Sequence, residues 1–209
     1  MADSPQDQPS VINVLCAYIR TEAPIRNAPR LAKKEDSPPT NIQAALTAIA
    51  TRNPAHDNGA VVDLDGTNLV GADLHDANLN TASVRNSDLA RADLTSAWLI
   101  GTSFSGTNLS NSDWESASAV QADLSNTTLT GAFFYVADIR NSDLENANLS
   151  GMGVDNTMCD GIDIDGAKLY GLPYDQKLYL ETGSKLRVNL PKWIEKILGP
   201  VQRNPERQW

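Results

Sequence analysis

A period of five residues runs unbroken from Val62 to Gly171. Stepping by five from Leu64 gives the centres Leu64, Leu69, Leu74, Leu79, Val84, Leu89, Leu94, Leu99, Phe104, Leu109, Trp114, Ala119, Leu124, Leu129, Phe134, Ile139, Leu144, Leu149, Val154, Cys159, Ile164 and Leu169. Of these 22 units, 13 have Leu at the centre, and 19 have Ala, Ser or Thr two residues earlier. A fixed period held in register over half a chain marks a solenoid of stacked units.

Five is the period of neither a helix nor a strand. It becomes intelligible when each unit is a short strand followed by a corner. Residues two apart in a strand share a side, so the small residue and the centre both point inward and the residue between them points out. The last two residues turn the chain. Gly fills the second corner position nine times and Asn six times, and these are the residues that best accept the positive φ of a type II turn. Four such sides close a coil of 20 residues.

The units Ala72-Asp73-Leu74, Ala77-Asn78-Leu79, Ala92-Asp93-Leu94, Ala122-Asp123-Leu124 and Ala147-Asn148-Leu149 resemble the A(D/N)LXX signature of pentapeptide-repeat proteins. The resemblance covers all 22 units and implies a mainly β fold, a right-handed quadrilateral β-helix solenoid. At four units per coil it has about 5.5 coils. Trp114 is large for so narrow a core, and Ala119, the next centre, compensates its volume.

The flanks do not keep the period, and a solenoid needs its ends covered. The expected organisation is a helical N-terminal cap over 1–59, the β-helix over 60–171 and a helical C-terminal cap over 172–209. In the first flank Ser10 starts a helix through Arg20 that buries Val11, Val14, Leu15, Tyr18 and Ile19. Thr40 or Asn41 starts a second helix carrying Ile42, Ala45, Leu46 and Ile49, ended by Pro54 and Gly59. In the last flank Asn189 caps a helix with Trp193, Ile194, Ile197 and Leu198 on one side. That helix reads as a lid on the last coil or as a lid that also forms a homodimer seam.

Charge separates by side. Residues 60–170 hold 16 acids and 4 bases, −12 in all, against −9 for the whole chain. The first face, centred on Leu64, Val84, Phe104, Leu124, Leu144 and Ile164, carries Asp63, Asp65, Asp123, Asp143, Glu145, Asp163 and Asp165 against Arg85. The third, centred on Leu74, Leu94, Trp114, Phe134 and Val154, carries Asp73, Asp76, Asp93, Asp113, Glu115 and Asp155 with no Lys or Arg. The second and fourth faces, centred on Leu69 and Leu79 and their successors, are close to neutral. Five and a half coils about 4.8 Å apart make a rod of roughly 26 Å, so twelve charges approach the density of duplex DNA, one per ~1.7 Å. Direct nucleic-acid binding is disfavoured, and imitation of nucleic acid is physically open. The same acids also serve as a solvated wall that keeps a leucine-filled rod in solution.

Little else points to chemistry. The two histidines, His56 and His75, have no nucleophile at motif spacing, and no Gly-rich phosphate loop, metal-ligand cluster or cofactor motif is present. The stacked Asp123, Asp143 and Asp163 offer too few oxygens for Ca²⁺. The start Met1-Ala2-Asp3-Ser4-Pro5 does not read as a signal peptide, no run approaches the ~20 apolar residues of a membrane span, and Cys16 and Cys159 do not form a disulfide framework. A cytoplasmic protein without membrane attachment is expected.

One outward feature breaks the polar rule: Trp98, Ile100 and Val120, with Phe133, Tyr135 and Val136 on the adjoining side, form an apolar contact strip. Three functional readings follow. The resemblance implies a non-catalytic acidic rod that binds DNA gyrase or topoisomerase IV as a duplex mimic and protects it from poisons. The second is a scaffold whose apolar strip docks a protein partner. The third is an unconventional enzyme at that strip or at an end cap.

Overall fold

The computed structural model describes residues 6–25 and 37–171. Trp193, Ile194, Ile197 and Leu198, with the rest of the expected C-terminal cap, lie outside the described residues.

From Asp63 onward each residue just before a centre pairs in parallel with the residue 20 positions later: Asp63 with Ser83, Asn68 with Asp88, Asp73 with Asp93, Asn78 with Trp98, and so on to Asn148 with Lys168. This is a β-solenoid of four faces per coil. The inward pair of each unit is buried, as at Ala72 and Leu74 or Ala122 and Leu124. All 22 second corner positions have φ between 51° and 72°, and the centre's carbonyl accepts from the amide three residues on (Ala72 to Leu69, 3.0 Å; Ala97 to Leu94, 3.0 Å). The conformation is therefore imposed by the coil and is adopted by Asp76, Thr81, Arg91, Ser96, Ser116, Gln121 and Val136 as well as by Gly and Asn.

Trp114 is fully buried. It stacks on Phe134 of the next coil (centroids 4.8 Å, 16°) and meets Phe104 edge-on (5.4 Å, 68°). Its indole N–H donates to the Ser112 hydroxyl (2.7 Å), which donates to the Leu109 carbonyl (2.6 Å). The small inward residue is thus also the partner that a buried Trp N–H requires.

Two helices close the first coil, α1 (Gln8–Glu22) and α2 (Thr40–Ala50), followed by a short 3-10 turn at Pro54–His56. α2 buries Ile42, Ala45, Leu46 and Ile49 at helical spacing. α1 differs from the sequence expectation. It starts at Gln8, without a side-chain cap, and buries Gln8, Ile12, Cys16 and Ile19. Val14 is 67% exposed, Tyr18 is exposed, and Val11 and Leu15 are only half-buried. The helix carries two apolar stripes one residue apart, and the edge of the first coil selects the other one.

That edge needs partners for its backbone groups. On the second face the Ala23 carbonyl accepts from Asn68 N–H (2.7 Å), and Ile25 N–H donates to Gly66 (2.7 Å). On the third face the Gln43 amide imitates a strand: its Nε2 donates to the Asp73 carbonyl (2.7 Å) and its Oε1 accepts from Asp73 N–H (3.1 Å). On the fourth, the Ala50 carbonyl accepts from Asn78 N–H (3.1 Å) and Arg52 donates to the Asn78 carbonyl. Arg20 meets the Asp63 carboxylate on the first face.

Candidate functional site: two acidic faces and an aromatic patch

The residue before each centre is Asp or Asn in 13 of the 22 units, and the structure supplies the local reason. In every one of the 13 the side-chain Oδ1 accepts a hydrogen bond from the backbone N–H two residues later, from Asp65 N–H on Asp63 to Asp165 N–H on Asp163. This Asx turn orients the first corner residue. It needs an oxygen and not a charge: Asn108 and Asn148 make it to Ser110 and Ser150 at 3.2 and 3.3 Å, as Asp113 makes it to Glu115 at 3.0 Å.

The choice between Asp and Asn is nevertheless sorted by face. On the first and third faces all seven such residues are Asp: Asp63, Asp123, Asp143 and Asp163, and Asp73, Asp93 and Asp113. On the second and fourth faces four of six are Asn, at 68, 78, 108 and 148. The two aspartates there have cationic or amide partners. Asp88 accepts from the Asn108 amide (2.9 Å), and Asp138 is paired with Arg140 (2.7 Å).

The two acidic faces are unequal. The first is partly neutralised at its start, by Arg20 on Asp63 and Arg85 on Asp65 (2.7 Å). Its acids of the later coils, Asp123, Asp143 and Asp163, follow one another in the pairing, with Asp123 also taking the Ser103 hydroxyl (2.9 Å). The third face begins with Asp73, Asp93 and Asp113 on three successive coils. Glu115 is exposed and Asp155 half-buried on the same face, and Asp76 lies 3.0 Å from His75. Burial pushes the Asp65 carboxyl up, but the bonds from Arg85 and the Ser83 hydroxyl together outweigh it and hold the pKa below its ordinary value. Arg140 does the same for Asp138. A carboxyl so lowered stabilises the fold fully above the ordinary aspartate pKa, and that stability is lost as pH falls through the lowered value.

The apolar residues singled out from sequence are placed outward. Trp98 is 56% exposed, Phe133 40% and Tyr135 38%; Ile100 and Val136 are also exposed and Val120 is half-buried. Phe133 and Tyr135 stack (6.1 Å, 17°). Trp98 belongs to a different column, with Ser118 and then Asp138 on the following coils. No ring contact joins it to Phe133 or Tyr135 among the described residues.

Val136 carries a signal that sequence reasoning passed over. It is a β-branched residue at φ 58°, in the left-handed region that L-residues enter at a cost of about 1–2 kcal/mol. Val136→Gly is therefore expected to raise stability by about 1 kcal/mol after the entropy of the added glycine is subtracted. Thermal unfolding read by circular dichroism tests this, and an unchanged or lowered midpoint would contradict it.

Among the described residues no group of three His, Cys, Asp or Glu is placed to hold a metal ion, and no helix is long and apolar enough to cross a membrane. Cys16 is buried, and burial pushes its thiol up to about 11. Cys159 is also buried, and burial raises its pKa.

A flat-walled, five-residue solenoid with Asx turns defines a class, and comparison with known proteins gives the same one. The family model "Pentapeptide repeats" matches in eight copies over residues 62–95, 87–117 and 120–151. The chain belongs to the pentapeptide-repeat family. It is similar to a solved pentapeptide repeat protein (Rfr23) from the cyanobacterium Cyanothece, at 31% identity over 44% of this chain and 64% of that one, with a TM-score of 0.44. It is similar to one from the thylakoid lumen of Arabidopsis thaliana, at 32% identity over 52% of this chain and 73% of that one, with a TM-score of 0.41. Full-length QnrB1, a plasmid-mediated fluoroquinolone resistance protein, aligns at 16% identity over 68% of this chain and 85% of that one, with a TM-score of 0.35. The chain thus spans just under two thirds of the Cyanothece protein. No curated protein matches the sequence.

Proposed function

We propose that this protein is a non-catalytic, cytoplasmic interaction rod, a right-handed quadrilateral β-helix capped by helices, whose acidic faces imitate duplex DNA toward a type II topoisomerase and protect it from poisons. The observation that supports this is the sorting of Asp and Asn. Either residue makes the turn, Asn with the longer bond (3.2–3.4 Å against 2.8–3.2 Å for Asp), yet the two opposite faces use only Asp at the seven Asx positions. Charge on those faces is therefore selected for something other than the turn. A cationic, DNA-binding protein surface is the partner that such walls attract at long range. Trp193, Ile194, Ile197 and Leu198 are proposed to form the lid on the last coil or a homodimer seam.

Replacing Asp73, Asp93 and Asp113 together by Asn tests the charge while keeping each Oδ1 acceptor. The melting midpoint should move little, and inhibition of gyrase supercoiling should weaken by roughly tenfold or more, with the remaining effect less sensitive to salt. Unaltered inhibition by the triple variant, or no effect of the parent protein on gyrase at low salt, would reject the mimic. The exposure of Trp98, Phe133 and Tyr135 supports a second reading, a scaffold that docks a protein through apolar contacts. There Trp98→Ser with Tyr135→Ser should abolish binding with little salt dependence.

A further inference from the structure

The third face holds more than charge. Its outward column reads Asp73, Asp93, Asp113, Phe133 and Gly153 on five successive coils, each paired in parallel with the next. Three carboxylates are followed by an aromatic ring and then by no side chain. Phe133 lies in a stack with Tyr135. Gly153 leaves room for that ring, since a Cβ there would stand 3.0 Å from Phe133 Cδ2. Val136, at the corner just after Tyr135, is exposed and held at φ 58°. A wall that only keeps the rod in solution calls for none of these: an exposed aromatic pair lowers solubility, and the strained valine lowers stability.

The spacing selects the shape of what would lie on the column. Neighbouring coils are about 4.8 Å apart, so the step from Asp73 to Phe133 is three coils, or ~14 Å. Three turns of α-helix advance ~16 Å, a drift that flexible cationic side chains absorb. An extended strand presents same-side residues every ~6.8 Å and drifts by more than one coil over the same three steps. The face carries no Lys or Arg, so its field favours a cationic occupant along the whole column.

We infer that the third face docks a basic amphipathic helix of a partner protein, running along the rod with Lys or Arg on successive turns over Asp73, Asp93 and Asp113 and an aliphatic side chain on the next turn over Phe133 and Tyr135. This rests on the reading that the acidic faces meet a cationic protein, and adds the secondary structure, register and apolar anchor of the segment recognised.

Fluorescence anisotropy with the full-length protein and labelled alanine-based helical peptides of about 16 residues tests it. One peptide carries Arg on three successive turns and Leu on the fourth, on the same side; a second has the same composition with Leu moved to the opposite side. The first should bind about tenfold more tightly, the discrimination expected from burying one leucine. Phe133→Ser and, separately, Tyr135→Ser should bring the two peptides to parity. Asp93→Asn with Asp113→Asn should weaken both, and circular dichroism melts identify any variant that has not folded. Equal binding of the two peptides to the parent protein overturns the inference, as does discrimination that survives in both serine variants. Discrimination by a protein that leaves gyrase untouched would retain the helix dock and reject the topoisomerase. Gyrase inhibition without discrimination would do the reverse.

Discussion

Leu109→Lys should yield a chain with no cooperative unfolding transition, while Asn111→Gly, two residues away, should melt within about 1 kcal/mol of the parent protein. Leu109 is a fully buried rung of the second face, between Leu89 and Leu129. Its backbone N–H donates to the Thr128 carbonyl of the following coil (2.8 Å). Lysine there forfeits about 1.5–3 kcal/mol of leucine burial and adds several kcal/mol for an ammonium without a partner. Together these rival the whole stability of a domain, about 5–15 kcal/mol. Asn111 is a corner at φ 57°, a conformation glycine takes freely. Its Oδ1 lies 2.6 Å from the place a Cβ on Gly131 would occupy, so trimming Asn111 opens no gap in the core. Circular dichroism melts of both variants decide the matter. If they unfold alike, the inward and outward assignment of the five positions is wrong.

Arg52→Met is expected to detach the N-terminal helices at a cost of about 3–5 kcal/mol, the usual effect of leaving one member of a buried ion pair alone. The side chains of Arg52 and Asp57 are only 3% and 14% exposed. Arg52 Nε donates to both Asp57 oxygens (3.1 Å each), and a terminal nitrogen donates to Oδ2 (2.9 Å). The other terminal nitrogen serves the Ile49 carbonyl (3.0 Å) and the Asn78 carbonyl of the first coil. From α1, Gln8 Nε2 donates to Asp57 Oδ1 and to the Asn53 carbonyl (2.6 Å each). One guanidinium therefore ties α2, the turn after it and the first coil together, with α1 joined through Asp57. Since each solenoid unit rests mainly on its neighbours, the damage should stay local. Hydrogen exchange should quicken in Gln8–Glu22 and Thr40–Ala50 and remain slow around Leu109. Arg52→Met with Asp57→Leu should recover much of the loss, because it removes the stranded carboxylate. If the double variant exchanges as fast as the single one, the pair does not hold the cap in place.

The five-residue period, the inward pair, the corner and the segregation of charge by face were all legible along the chain, as were α2 and its buried side. The reason is that each depends on residues a few positions apart, repeated many times, so local chemistry and tertiary position coincide. The Asp and Asn habit was visible too, but its cause was not, because the bond from Asp113 to the Glu115 amide exists only once the corner is folded. Where distant segments meet, the sequence left the answer open. Val11, Val14, Leu15 and Tyr18 make as good an apolar stripe as Ile12, Cys16 and Ile19. The choice fell to the second because the turn after α1 must bring Ala23 and Ile25 onto Asn68 and Gly66. In the same way, nothing local marks Gln43 as the partner of the Asp73 backbone or Arg52 as the partner of Asn78. Those pairings were decided by an exposed strand edge, whose unpaired N–H and C=O groups accept whichever side chains the closing helices bring within reach.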